Sequence, residues 1–191
     1  MKQSLGPQGL FFPNPVFVVG TYDSDGRPNA ITVAWGGVVS SNPPAISIAV
    51  RPSRYSFENL MERRAFTINL PAVDQASEAD YFGVVSGRKV DKFKATGLTP
   101  VKGDVVDAPY IAEFPYNLEC VVTQTLDLGS HVLFIGEVKE THAEDTLVGE
   151  NGDLLYGNNI LTFDSGIRSY RAPGGIVARA FDIGLGFTDR D

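Results

Sequence analysis

The sequence of 191 residues predicts a mainly β protein: an antiparallel barrel carrying a few short helices. Strand-like runs rich in β-branched and aromatic residues follow one another with turn signals between them. Helical patterns are few and short, so the strand–helix–strand alternation of a doubly wound sheet is missing. No repeat, linker or low-complexity segment interrupts residues 1–191, and one domain is expected across that span.

VFVVGTY, Val16–Tyr22, is the first strand. DSDGR follows as a turn, in which Asp25-Gly26 offers the backbone conformations of a tight hairpin. The chain returns as PNAITVAW, residues 28–35, with Ile31, Val33 and Trp35 on a core face and Ala30, Thr32 and Ala34 on the other. AISIAV (Ala45–Val50) and AFTINL (Ala65–Leu70) are further strands. Between them SRYSFENLMERR has helical spacing, with Ser53 as N-cap and Phe57, Leu60 and Met61 on one face. A second helix is expected after Asp74, which would cap it, with Glu78 and Asp80 in an early turn. SGRKVDKFKATG reads as a loop and a short helical turn that ends at Gly97. LECVVTQTLDL and HVLFIGEVKE, joined through Gly129-Ser130, make a hairpin. Beyond residue 141 the pattern fades, with GENGDLL as one more turn.

Composition narrows the function. The chain is 43% hydrophobic and 20% charged, as folded domains are. A net charge of −7 argues against nucleic acid or an anionic membrane as the main partner. The start, MKQSLGPQGLFFPNP, is too short in apolar residues and too broken by proline for a signal peptide. No run approaches the roughly 20 apolar residues of a membrane span. A soluble cytoplasmic protein is the expectation. Cys120 is the single cysteine, which excludes an internal disulfide or a CxxC pair and reads as core packing. With only His131 and His142 and no H-E-x-x-H, no metal site is expected. There is no G-x-G-x-x-G after a strand, no P-loop and no G-x-S-x-G elbow.

Four stretches carry chemistry. In NAITVAWGGVVSSNPPAISIAV, a face of small residues and Gly36-Gly37 would let a planar ring lie against the backbone, with Ser40 and Ser41 adding hydroxyls. An isoalloxazine suits such a ledge; a β-bulge and surface turn suit it too. In RPSRYSFENL, Arg51, Ser53, Arg54, Tyr55 and Ser56 meet at a helix N-terminus, which fits a phosphate or else a capped helix with solvated arginines. One short strand separates these two features, a spacing that FMN could bridge. SGRKVDKF offers Ser86, Gly87 and Lys92 as a cover, the lysine opposing charge at the N1–O2 end of a reduced flavin, or it is a surface loop. His131, opening the strand of GSHVLFIGEV, is either an exposed hydrogen-bonding group or a catalyst.

Together these four stretches, in this order, resemble the flavin reductase-like family of FMN-binding split barrels. The similarity runs from PVFVVGTYDSDGRPNA to LGF, residues 185–187. It implies a six-stranded antiparallel Greek-key split barrel, a homodimer, and non-covalent FMN near the subunit interface. Residue by residue, it assigns Asn29, Thr32, Val33, Ala34 and Trp35 to the ring edge, and Ser40 and Ser41 to the ring or ribityl chain. Arg51, Tyr55 and Ser56 would hold the phosphate; Ser86, Gly87 and Lys92 would cover the flavin. His131 matches a histidine near the reactive face, and Tyr170 in IRSYR matches a segment that reaches the flavin or the dimer contact. The implied function is an FMN-dependent oxidoreductase. It would pass electrons from NADH or NADPH to free flavin, a metal complex or another acceptor. The alternative is a flavoredoxin-like electron carrier reduced by a partner redox protein. No cysteine follows Gly36-Gly37, so a thiol relay there is not expected, and residues 142–165 match the family poorly.

Overall fold

A computed structural model describes residues 1–157, 159–181 and 183. Among these residues twelve strands follow in chain order. The first five are β1 (Asn14–Pro15), β2 (Phe17–Tyr22), β3 (Pro28–Val33), β4 (Gly36–Ser41) and β5 (Pro44–Val50). Next come β6 (Ala65–Leu70), β7 (Pro100–Lys102), β8 (Pro109–Ile111), β9 (Tyr116–Asp127) and β10 (Val132–Ala143). A C-terminal hairpin supplies β11 (Thr162–Asp164) and β12 (Ser169–Arg171). The helices are α1 (Tyr55–Arg63), α2 (Ala76–Val84) and α3 (Lys92–Thr96). The end of the family-like region, residues 185–187, lies outside the described residues.

The main sheet has seven strands in the order β3-β2-β6-β9-β10-β5-β4, all antiparallel. Its two outer members are the halves of one bent segment, 28–41, so the sheet curls until its ends meet in a single stretch of chain. Counted by ladders there are seven strands; counted by chain segments the barrel has the expected six. β5 pairs with β10 instead of β6, the long-range return of a Greek key.

Core packing explains why β2 reads as continuously apolar. Val19 and Ile31 point into the barrel with Ile48, Phe66 and Phe134, while Val18 and Ala30 point outward onto Ala79 and Phe82 of α2. A strand covered on both faces has no solvent side to alternate with. Each fully buried side chain of this size contributes about 1.5–3 kcal/mol. Cys120 is part of the barrel core, and burial pushes its thiol up to about 12, which keeps it protonated and inert.

Several boundaries differ from expectation. Ser53 does not cap α1; Arg54 takes the N-cap position in extended conformation, and no side chain bonds to the helix amides. Met61 is exposed, leaving Leu60 as the buried contact with half-buried Phe57 beside it. Asp74 does not cap α2, because a 3-10 turn at Val73–Gln75 precedes it and Gln75 accepts from the Ala72 amide at 2.8 Å instead. Gly97 does end α3, in left-handed conformation. Among the described residues, no helix is long and apolar enough to cross a membrane.

Candidate functional site

The site lies where the bent segment changes ladders. β3 follows β2 as far as Val33, and β4 follows β5 from Gly36. Ala34 belongs to neither ladder, while the Trp35 carbonyl accepts from the Ala49 amide at 2.8 Å. The register of two breaks at this bend, so Trp35, expected on the core face with Ile31 and Val33, is instead 40% exposed. Gly36 is glycine for a packing reason: a Cβ there would sit 2.5 Å from the Ser47 carbonyl and about 3 Å from the Phe17 ring. The Thr32 hydroxyl is donated to the Ala79 carbonyl, so Thr32 offers a ligand its backbone, not its side chain.

Three adjoining compartments form one groove, and Arg54 lines all of them. The first, about 310 Å³, occupies the split between the free edge of β3 and the end of β5, bordered by Ala34, Trp35, Arg51 and His131. The second is small, polar and about 130 Å³, with Asn29, Ser53, Ser56, Ser86 and Lys92 around it. The third, about 660 Å³, is an outer chamber between Thr32–Trp35 and a wall made by Leu10, Phe163 and Tyr170.

The polar compartment has a dense donor set. Lys92 is 4% exposed, and its Nζ donates to the carbonyls of Phe82 (3.0 Å) and Val85 (3.1 Å). An ammonium carries three protons, so one remains for a ligand. Burial, helped by Arg54, brings the Lys92 pKa down to about 8. Ser56 is also buried, and its Oγ accepts from Asn29 Nδ2 at 2.8 Å. The uncapped start of α1 borders the same space, and an uncapped helix N-terminus attracts anions. Gly87 closes the side of the compartment: a Cβ would fall 2.2 Å from Asn29 Oδ1 and 2.8 Å from the Tyr55 ring. Tyr55 contributes its ring, since its hydroxyl donates to Asp23 at 2.8 Å and Arg88 lies over its face.

At the split, Arg51 Nε donates to His131 Nε2 at 3.4 Å, and His131 Nδ1 meets Ser130 Oγ at 2.9 Å. Burial and then the Arg51 charge lower the His131 pKa below its usual value. Across the outer chamber, Tyr170 donates to Asp80 at 3.0 Å, and burial together with that bond raises its phenol.

The structure brings Asn29, Thr32, Val33, Ala34, Trp35, Arg51, Tyr55, Ser56, Ser86, Gly87, Lys92, His131 and Tyr170 to this groove. Ser40 and Ser41 are not brought there. They pair with Ala45 and Pro44 at the far end of the β4–β5 hairpin, roughly 16 Å along the strand from Trp35, and line none of the compartments. Arg51, expected at a phosphate, sits with His131 at the split; Arg54 takes the place facing the polar compartment. Lys92, expected opposite a flavin ring edge, lies in that polar compartment instead. Sequence reasoning missed Leu10, Gly83, Phe163 and Arg168 as lining residues, because they reach the groove only through the tertiary fold.

One cluster outside the groove brings Asp104, Glu119 and His142 within 4.8 Å. Glu119 is fully buried and already accepts from the amides of Asp104, Val105 and Val106 and from His142. That carboxylate has its lone pairs occupied and works as a clasp on the loop before β8.

Residues 9–162 match the flavin reductase like domain. The structure is similar to flavoredoxin of Desulfovibrio vulgaris (Miyazaki F), with a TM-score of 0.91 and 39% identity over 96% of this chain and 100% of that one. Flavoredoxin from Methanosarcina acetivorans is similar at TM-score 0.88 and 28% identity, covering 98% of this chain and 100% of its own. A relative in Aeropyrum pernix is 32% identical over 133 residues, 69% of this chain; the chain spans about half, 51%, of that relative's length. The bent segment, the groove at its split and a match over most of the sequence agree: the chain belongs to the flavin reductase like domain family.

Proposed function

We propose that this chain binds FMN non-covalently in the groove and acts as an FMN-dependent oxidoreductase, accepting electrons from NADH or NADPH. The observation that carries this reading is the junction of two unlike spaces. A polar compartment with a free Lys92 proton, Arg54 and an uncapped helix start adjoins a ledge partly outside the ladders, where the small Ala34 sits beside the exposed indole of Trp35. The donor set of the first matches a phosphate, and the second matches the flat face and amide-seeking edge of a flavin.

Bound there, FMN supplies reversible hydride and electron chemistry that no side chain of the site can supply. The chain's own work is placement. Arg54, Lys92, Ser56 and the first amides of α1 would hold the dianionic end. The backbone of Thr32–Trp35 would serve the ring edge, and Leu10, Phe163 and Tyr170 would form the far wall. His131 stands at the split between Arg51 on Nε2 and Ser130 on Nδ1, and burial and then the Arg51 charge disfavour its protonated form.

Anaerobic titration of the FMN-loaded protein tests the donor. Bleaching of the flavin absorbance by NADH or NADPH within minutes is expected; a cofactor that stays oxidised for hours rejects that donor. The 39% identity with a flavoredoxin favours a second reading, in which a partner redox protein reduces the flavin. Bleaching by a reduced ferredoxin and not by nicotinamides would select it. A homodimer is part of the proposal, supported by an exposed apolar strip at Val38 (79%) and Val39 (50%) beside Trp35. Val39→Lys should then lower the mass seen by light scattering to that of one chain.

A further inference from the structure

The loop between α2 and α3 is fastened in an unusual way. Lys92 Nζ donates to the Val85 carbonyl at 3.1 Å, so the two ends of the loop are stapled to each other. Between those ends, among the described residues, the backbone of 86–90 bonds only within the loop. The Lys89 amide reaches the Ser86 carbonyl at 3.0 Å, and the Arg88 amide reaches Ser86 Oγ at 3.3 Å. The hydrogen bonds and ion pair that tie this stretch to the rest of the molecule all come from Arg88. Its Nη2 donates to Glu58 at 3.0 Å and its Nη1 to the Ser53 carbonyl at 3.4 Å. Its guanidinium lies over the Tyr55 ring, 5.3 Å from the centroid. Every one of these partners belongs to α1 or to the residues leading into it.

That tie breaks easily. The Arg88 and Glu58 side chains are 46% and 68% exposed, and an exposed ion pair adds little to stability. A loop with stapled ends, no ladder or helix bonds and one solvated tie can open while its surroundings stay folded. Two cavities meet behind it. One is the polar compartment; the other, about 360 Å³, is bordered by Asp23, Arg27 and Lys89, and the two share Asn29, Tyr55, Gly87 and Lys92. The partition between them is thin. Gly87 stands so close to Asn29 and Tyr55 that a Cβ would fall 2.2 Å from one and 2.8 Å from the other. Swinging the loop away would lift Gly87 out of the partition and join the two cavities at the polar compartment.

Resting on the FMN reading, we infer that residues 86–90 form a flap latched onto α1 by Arg88, and that its opening is the step by which the phosphate end of FMN enters and leaves. The latch acts on rates. It holds the flap shut with or without ligand, so weakening it speeds loading and release together and leaves affinity nearly unchanged.

Stopped-flow mixing of FMN with FMN-free protein, followed by flavin fluorescence, gives both rate constants from the dependence on FMN concentration. Glu58→Gln should raise the two together by about two- to fivefold, as the loss of an exposed ion pair implies. Arg88→Ala, which also loses the contact with the Tyr55 ring, should raise them about five- to tenfold. These variants change the charge beside the polar compartment in opposite senses. Simple attraction of a dianion would therefore move association up in one and down in the other, and only the latch predicts a common rise. Association rates that move in opposite directions, or rates that do not move, overturn the inference. A second measurement needs no cofactor. Glu58→Gln keeps Arg88 and Lys89 as trypsin sites, and cleavage there in FMN-free protein should quicken by the same two- to fivefold or so. An unchanged cleavage rate overturns the latch. Absence of any flavin signal in the unaltered protein would count against the cofactor reading, and the trypsin result would then decide the latch by itself.

Discussion

Arg51 donates from Nε to Nε2 of His131 across 3.4 Å, joining the end of β5 to the turn before β10 at the split of the barrel. Burial first and the guanidinium second lower the pKa of His131 below its usual value. Removing the charge in Arg51→Gln should therefore move the His131 midpoint up toward 6.5, as read by NMR of the imidazole against pH. Because Arg51 stands outside the polar compartment, the same variant should keep the preference of the protein for FMN over riboflavin. An unmoved midpoint would mean the contact carries no electrostatic coupling.

Lys92 should give opposite pH trends for binding and for stability. Its folded pKa of about 8 lies below that of an unfolded lysine, near 10.4. Between those values the unfolded chain holds more protons, so this residue makes the FMN-free protein more stable as pH rises. Over the same range the native ammonium loses its charge, so FMN affinity should fall. Lys92→Met should flatten both trends between pH 7.5 and 9.5. It should also cost about 1–3 kcal/mol of stability, because the carbonyls of Phe82 and Val85 lose their donor. Urea titration and FMN binding at several pH values read the two effects separately.

Gly87→Ala should push the 86–92 loop off the groove. The new Cβ would meet Asn29 Oδ1 at 2.2 Å, and Asn29 is itself bonded to Ser56 in the polar compartment. Overpacking of this kind costs about 1–3 kcal/mol, and weaker FMN binding should accompany the lower melting temperature. A variant that melts lower yet binds FMN normally would separate the loop from the ligand.

Glu119 should make the fold acid-sensitive. Burial alone would raise its carboxyl, but bonds from His142 and the amides of residues 104–106 outweigh it and hold the pKa below the ordinary value. The stabilisation is complete above the unfolded value near 4.3 and is lost as pH falls through the folded one. Glu119→Ala should cost roughly 3–5 kcal/mol at neutral pH and lose most of that penalty in acid. Melting curves from pH 7 to 3 decide it.

The order of elements was legible because each strand carries its own turn residues: Asp25-Gly26 before β3, Gly129-Ser130 before β10. AFTINL gave β6 to the residue. What failed, failed where tertiary contacts override local pattern. Trp35 left the core face because a change of ladder at Ala34 breaks the period of two, a change no local residue announces. Ser40 and Ser41 looked close to the ledge in sequence, but extended chain carried them away from it. Of Arg51 and Arg54, three residues apart in RPSRYSF, only Arg54 reaches the polar compartment, because the chain turns into α1 between them. Of the β11–β12 hairpin, which returns from about 130 residues away to supply the far wall, only Tyr170 in IRSYR was anticipated; Phe163 and Arg168 carry no local signal for the groove.

The most direct test of the central claim compares FMN with riboflavin, which lacks only the phosphate, by quenching of flavin fluorescence. If Lys92, Arg54 and the start of α1 hold a phosphate, FMN binds at least about tenfold tighter, matching a charge-assisted bond of roughly 1.5–3 kcal/mol. Arg54→Gln should then bring the two ligands together. Equal affinities in the unaltered protein would contradict the assignment of the polar compartment and, with it, the position of the flavin.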